Sequence, residues 1–158
     1  MKKKVYIETT VVSYLAGRTS SNRVIAGHQD STRRFWRQLG RFDAYLSDLV
    51  WREAGRGDSA QAKARLNALA GLSMLEADQE AKQLAEMLIA KAAVPAKHPD
   101  DAMHIAIATV NGIDFLVTWN FAHINNPVDR MKIRRVVENA GYVSPEMCSP
   151  EELIRGVT

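Results

Sequence analysis

The chain has 158 residues, 46% of them hydrophobic and 25% charged, with one cysteine and a formal net charge of +3. This suits a single soluble domain, residues 1–158, with a sizeable core. It excludes an internal disulfide framework, a cysteine zinc cluster and any run near the roughly 18 apolar residues of a membrane span. The basic start Met1-Lys2-Lys3-Lys4 is not followed by a signal-peptide core, because Glu8, Thr9, Thr10 and Ser13 interrupt the apolar stretch. One cysteine, Cys148, points to the reducing cytoplasm. Positive charge clusters at Arg33, Arg34, Arg37 and Arg41, and again at Arg130, Lys132, Arg134 and Arg135. Either cluster fits a polyanionic partner or a solvated helix face.

Lys4 to Ile7 reads as a first strand, and its unbroken run Val5-Tyr6-Ile7 suits a central parallel strand covered on both faces. Thr9 to Ala16 follows as a helix closed by Gly17, then an Arg-rich helix from Asn22 to Leu39 with an apolar stripe of Phe35, Trp36 and Leu39. Ala44-Tyr45-Leu46 is a second strand, and Ser47 and Asp48 cap a helix running through Glu53. Asp58 and Gln61 resemble a capping box for a helix to Leu69. Leu72 to Leu75 is a short third strand, and Asp78 caps a helix to about Ala92. Pro99 suits the first position of a helix through Val110 that Gly112 ends. Phe115 to Thr118 is a fourth strand. A short helix around Phe121 to Asn125, a turn at Pro127 and a basic helix from Val128 to Asn139 come next. The tail holds an edge strand near Met147 and a terminal helix at Pro150-Glu151-Glu152-Leu153.

Strands alternating with helices predict an α/β fold with a parallel sheet covered on both faces, whose ligand site lies beyond the carboxyl ends of the strands. Glu8 follows the first strand, Glu53 lies in the helix after the second, and Asn120 follows the fourth. Asp101 opens the helix leading into strand four, a position expected at the opposite end of the sheet unless the start of that helix wraps across. Carboxylates are costly to bury without an offset, and a divalent cation is the usual one.

The segment Tyr6-Ile7-Glu8-Thr9-Thr10-Val11-Val12-Ser13-Tyr14-Leu15 resembles the opening of PIN-domain nucleases, including the VapC-type toxins. Leu46-Ser47-Asp48-Leu49-Val50-Trp51-Arg52-Glu53, Asp100-Asp101-Ala102-Met103-His104-Ile105-Ala106-Ile107-Ala108 and Leu116-Val117-Thr118-Trp119-Asn120-Phe121 resemble the second, third and fourth motifs, in the family's order. Asn120 stands where the family usually has Asp, as in a subgroup reading Thr-Trp-Asn; Ser149-Pro150-Glu151-Glu152-Leu153 is also typical of the group. The resemblance implies a three-layer α/β/α PIN-like domain with about four to five short parallel strands. It implies a metal-dependent endoribonuclease, the toxin of a type II toxin–antitoxin pair, with a small antitoxin partner and a homodimeric state. Glu8, Glu53 and Asp101 would hold Mg²⁺ or Mn²⁺, with Asp100 the alternative to Asp101, and Asn120 would be a weak fourth catalytic group.

That chemistry matches the residue types. Phosphodiester hydrolysis needs a hydroxide-like nucleophile and neutralisation of phosphoryl charge, which divalent metals on carboxylates supply. Asn120 keeps one acceptor oxygen but no negative charge, so weaker metal binding, a one-metal site or impaired activity is expected. Thr9 and Thr118 are candidates for hydrogen bonds to the carboxylates or a phosphate, with helix capping the competing role for Thr9. His123 is a candidate substrate contact, His104 fits a satisfied structural histidine, and Trp119 fits packing beside the site. A catalytically weakened relative that binds RNA or a protein is the second reading. A haloacid-dehalogenase phosphatase is excluded, because Glu8 and Thr10 stand where it needs two aspartates.

Overall fold

Strand β1 (Lys4–Ile7) is the spine of the molecule. Its apolar run allows burial from both sides, and Val5, Tyr6 and Ile7 are fully inaccessible. β2 (Asp43–Ser47) and β4 (Phe115–Val117) pair with it in parallel, through Tyr6 opposite Tyr45 and Tyr6 opposite Leu116. β3 (Ser73–Leu75) and β5 (Glu146–Cys148) add parallel edges, giving one five-stranded sheet in the order β3-β2-β1-β4-β5. The computed structural model describes residues 1–155, so the last three residues of the expected domain lie outside it.

Alternation along β1 divides the core. Tyr6 faces a large apolar layer with Leu46, Leu84, Leu88, Ile105, Ile133 and Val137. Val5 and Ile7 face a smaller layer of Val11, Phe35, Phe42, Trp119 and Leu153. The large layer is built by α3 (Asp48–Ala54), α4 (Ser59–Leu69), α5 (Gln79–Ala90), α6 (Pro99–Val110) and α7 (Pro127–Asn139). The small layer rests on α1 (Thr9–Ala16), α2 (Arg23–Arg37) and α8 (Pro150–Arg155). This is the expected three-layer α/β/α arrangement. Among the described residues, no helix is long and apolar enough to cross a membrane.

The helix starts follow their caps. Asn22, Ser47, Asp58 and Asp78 each accept a backbone N–H from the first turn that follows. Two local expectations fail. Residues 121–125 form turns rather than a helix, because Asn120 accepts the His123 N–H on its side chain at 3.0 Å and the Asn125 N–H on its carbonyl at 2.8 Å. These bonds compete with a helical ladder. Pro127 is the first residue of α7 rather than a turn, with Asn126 as its cap.

The chain leaves α5, α6 and α7 by the same motif, in which the residue after the cap is left-handed and two N–H groups return to the last-turn carbonyls. Gly112 (φ 65°) and Gly141 (φ 90°) fill that position after α6 and α7, but Ala92 (φ 58°) fills it after α5. Ala92 donates to Ile89 and Ala93 to Leu88, both at 2.9 Å. An alanine Cβ is strained there. Ala92→Gly is therefore expected to stabilise the fold by about 1 kcal/mol, read as a higher urea midpoint with an unchanged slope.

Candidate functional site

β1 ends at Ile7, and Glu8 follows with its N–H bonded to the Val117 carbonyl at 3.1 Å, so it stands at the carboxyl edge of the sheet. Glu8 is only 4% exposed and caps α1. Its Oε2 accepts the Thr10 N–H at 3.1 Å, and its Oε1 accepts the hydroxyls of Thr10 (2.5 Å) and Thr118 (2.6 Å). Each threonine oxygen in turn accepts a backbone N–H, from Trp119 at 2.9 Å and from Asn120 at 2.9 Å. Two hydroxyls thus clamp the buried carboxylate to the turn after β4, which satisfies its burial.

The second acid comes from α3, started by Ser47 at the end of β2. Glu53 is half-buried, and its Oε1 accepts the Thr9 hydroxyl at 2.7 Å and meets His104 Nε2 at 2.6 Å. No protein donor contacts its Oε2 among the described residues. On the far side of the ring, His104 Nδ1 lies 2.7 Å from the Tyr6 hydroxyl, itself 2.8 Å from Ser47 Oγ. Rotating two hydroxyl hydrogens lets this chain serve either a neutral or a protonated imidazole.

The surrounding charges raise the proton affinity of the ring. Burial pushes the His104 pKa down, but the Glu53 hydrogen bond and the charges of Glu8, Glu53 and Asp101 outweigh it, so the net shift is upward. For Glu53 burial pushes up, and the His104 hydrogen bond and charge, the Thr9 hydroxyl and Arg56 reverse it to a net lowering. Burial, reinforced by the charges of Glu8, Glu53 and Asp48 against the opposing Ser47 bond, keeps the Tyr6 hydroxyl protonated.

Asp101 reaches the same edge. A helix that returns the chain to the start of a parallel strand runs against it, so its beginning lies at the strand's carboxyl end. The start of α6 is at its ordinary place, and the expectation of the opposite end is corrected. Asp101 is half-buried and accepts the Asn120 Nδ2–H at 3.1 Å, whereas Asp100 is exposed. The geometry therefore ties Asp101 rather than Asp100 to the fourth motif.

A continuous set of hydrogen bonds runs from Asp101 through Asn120 and Thr118 to Glu8. Glu53 lies beside this set, held by Thr9, the residue after Glu8, and by His104, one turn along α6 from Asp101. Glu8 and Asp101 share one hydrogen-bonded set and Glu53 belongs to a second beside it, and the three acids do not close into a tight triad. Among the described residues, the set whose possible ligand atoms all lie within 4.8 Å of one another is His98, Asp101 and His123. Clustered carboxylates repel one another, and a divalent cation would relieve that repulsion. Among the described residues, Glu53 and Asp101 each keep an oxygen without a protein donor, and Glu8 keeps lone pairs on Oε2. This all-oxygen set fits the hard-ligand preference of Mg²⁺ or Mn²⁺.

Thr9 and Thr118 both bond carboxylates, and the cap of α1 is Glu8, not Thr9. His123 contacts the His98 ring beside Asp101. Trp119 packs as expected, 6% exposed, with its indole N–H donating to Thr32 at 2.8 Å and its ring stacked on His28 at 4.1 Å. Sequence reasoning missed Thr10, Tyr6 and Ser47 as members of these sets. The one signal for Thr10 was the doubled threonine after Glu8.

No family model matches the sequence, and no curated protein matches it. Solved structures do share its fold. VapBC2 from Rickettsia felis, bound to a DNA fragment from its promoter, is 15% identical with a TM-score of 0.59, over 92% of this chain and 98% of that one. VapC20 from Mycobacterium tuberculosis, a sarcin–ricin loop cleaving toxin, is 13% identical with a TM-score of 0.52, over 88% of this chain and 96% of that one. At such identities the likeness establishes the fold, and the chain has the VapC-like PIN fold that its four motifs resemble.

Proposed function

We propose that this chain is a metal-dependent endoribonuclease acting as the toxin of a type II toxin–antitoxin pair. The observation that carries the reading is a pair of hydrogen-bonded sets at the carboxyl edge of the sheet, one joining Glu8, Asn120 and Asp101 and the other holding Glu53 through Thr9 and His104. The VapC-like fold adds to it. Glu8, Glu53 and Asp101 would hold Mg²⁺ or Mn²⁺. Bound there, such an ion would supply an acidified water as nucleophile toward a phosphodiester and would offset charge on the phosphoryl oxygens. The chain's own residues orient that set. Thr10 and Thr118 fix Glu8, Thr9 and His104 fix one oxygen of Glu53, and Asn120 fixes one oxygen of Asp101. His123, half-buried beside Asp101, would touch the RNA. The same reading includes a cytoplasmic homodimer held inactive by a small antitoxin whose segment fills the site.

One observation favours the second reading, a catalytically weakened protein that binds RNA or a protein partner. Both ends of the Asn120 amide are engaged, by Asp101 and by the His123 N–H, so the residue acts as a strut. A panel of mixed single-stranded RNAs with Mn²⁺, Mg²⁺ or EDTA separates the readings. The nuclease predicts cleavage with metal and none in EDTA. Metal-independent RNA binding without cleavage, in both the wild type and Asn120→Asp, would sink it in favour of the binding module.

A further inference from the structure

Beside the three acids lies a second group of donors of different chemistry. His98 occupies the residue before Pro99 at the start of α6, yet its side chain makes no capping bond. Asp101 lies one turn further on, and His123 arrives from the turn after β4. A ring nitrogen of each histidine and a carboxylate oxygen of Asp101 all lie within 4.8 Å of one another. The two imidazoles stack with centroids 4.1 Å apart and planes 28° from parallel. All three residues are half-buried, and among the described residues neither ring makes a hydrogen bond.

We propose that His98, Asp101 and His123 form a site for a divalent transition-metal ion that prefers imidazole, such as Zn²⁺ or Co²⁺, distinct from the all-oxygen set of Glu8, Glu53 and Asp101. Two imidazoles and one carboxylate are the donors that such ions take, with remaining positions open to water or a ligand, whereas Mg²⁺ prefers oxygen alone. Rotating the two stacked rings so that their nitrogen lone pairs converge, and drawing each donor inward by under about 1 Å, brings all three to the roughly 2.0–2.2 Å bonds of zinc.

Asn120 supplies the supporting layer such a site needs. Its Nδ2–H holds one oxygen of Asp101 at 3.1 Å, leaving the other for a ligand, while its Oδ1 holds the His123 N–H at 3.0 Å. One amide therefore sets the separation between the carboxylate and the loop that carries His123. An aspartate at this position could accept from His123 but could not donate to Asp101. The asparagine that departs from the usual PIN pattern thus has a positive structural role here. Because Asp101 belongs to both donor sets, an ion on the histidines takes that carboxylate away from the oxygen-ligated ion.

The inference stands apart from the ribonuclease reading and is tested by binding alone. Tag-free full-length protein, stripped with chelator and exchanged into metal-free buffer, is titrated with Zn²⁺ by calorimetry and with Co²⁺ by visible absorption. Wild type is expected to bind one ion per chain with the d–d bands of a nitrogen-containing, low-coordinate site. His98→Ala and His123→Ala should each weaken binding at least 10-fold, and His98→Gln and His123→Gln should do the same should either alanine variant fold poorly. Glu8→Gln and Glu53→Gln should leave it in place. No Zn²⁺ bound by wild type at micromolar concentration overturns the proposal, as does equal affinity in the His98/His123 double variant. Loss in the Glu8 and Glu53 variants with retention in the histidine variants assigns the ion to the acids, which overturns the histidine site and leaves the ribonuclease reading standing.

Discussion

Asp101→Ala is expected to lower metal-dependent RNA cleavage by at least about 100-fold with little loss of stability, given what metal ligands and the groups that orient them contribute. Asp101 is half-buried at the start of α6, and its one observed protein bond is from the Asn120 amide, which can turn to water when the carboxylate is gone. Asn120→Asp has the opposite character. It replaces a donor 3.1 Å from Asp101 with a second carboxylate, so two negative charges face each other. Without metal this should destabilise the fold by about 1–2 kcal/mol, and millimolar Mg²⁺ should recover the loss by bridging the pair. Thermal melts with EDTA or Mg²⁺, beside initial rates on the RNA panel, check both. A variant that gains cleavage and metal-dependent stability together shows that the missing fourth acid limits the wild type. Full cleavage by Asp101→Ala removes that residue from the site.

His104 carries the largest expected stability effect. It is 1% exposed, and its two ring nitrogens meet Tyr6 and Glu53. His104→Ala opens a cavity against β1 and strips one partner each from a buried hydroxyl and a half-buried carboxylate, for a loss of about 3–5 kcal/mol. That is a large share of the roughly 5–15 kcal/mol that holds a domain folded. The pair also sets a pH dependence. His104 has a raised pKa, so its stabilisation is full below the ordinary 6.5 and is lost as pH rises through the higher folded value. Glu53 has a lowered pKa, so its stabilisation is full above the ordinary 4.5 and is lost as pH falls through the lower folded value. Both contributions are complete between about pH 4.5 and 6.5. Urea unfolding in EDTA should show stability falling on the alkaline side of that window, and His104→Gln should flatten the fall. An equal alkaline slope in both proteins would show that the pair does not titrate with folding.

Much of this was legible because it is local. The Val5-Tyr6-Ile7 run marks a central strand, and the capping side chains of Asn22, Ser47, Asp58 and Asp78 mark helix starts to within a residue. Residues 121–125 were misread because nothing in their composition reveals that Asn120 takes two of their N–H groups. The Asp101 end of the sheet was misjudged through helix direction, not through any special packing. The companionship of His98 with His123 depends on how the chain returns through β4, a distance of one ring contact that spacing along the sequence does not encode. Thr10 escaped for a similar reason, since its hydroxyl is read only once the turn after β4 lies against it.

The sheet order has a consequence for synthesis. β1 leaves the ribosome before β4, yet Ile7 pairs with Val117 and the Thr118 hydroxyl that holds Glu8 lies 110 residues later in the chain. At about 5–20 residues per second, the acid waits roughly 5–20 s for the strand that fixes it. Until then the nascent chain can pair β1 with β2 but exposes the other edge of β1, and its site is incomplete. A chain cut short before β4 would leave Glu8 without the Thr118 hydroxyl and Asp101 without the Asn120 amide.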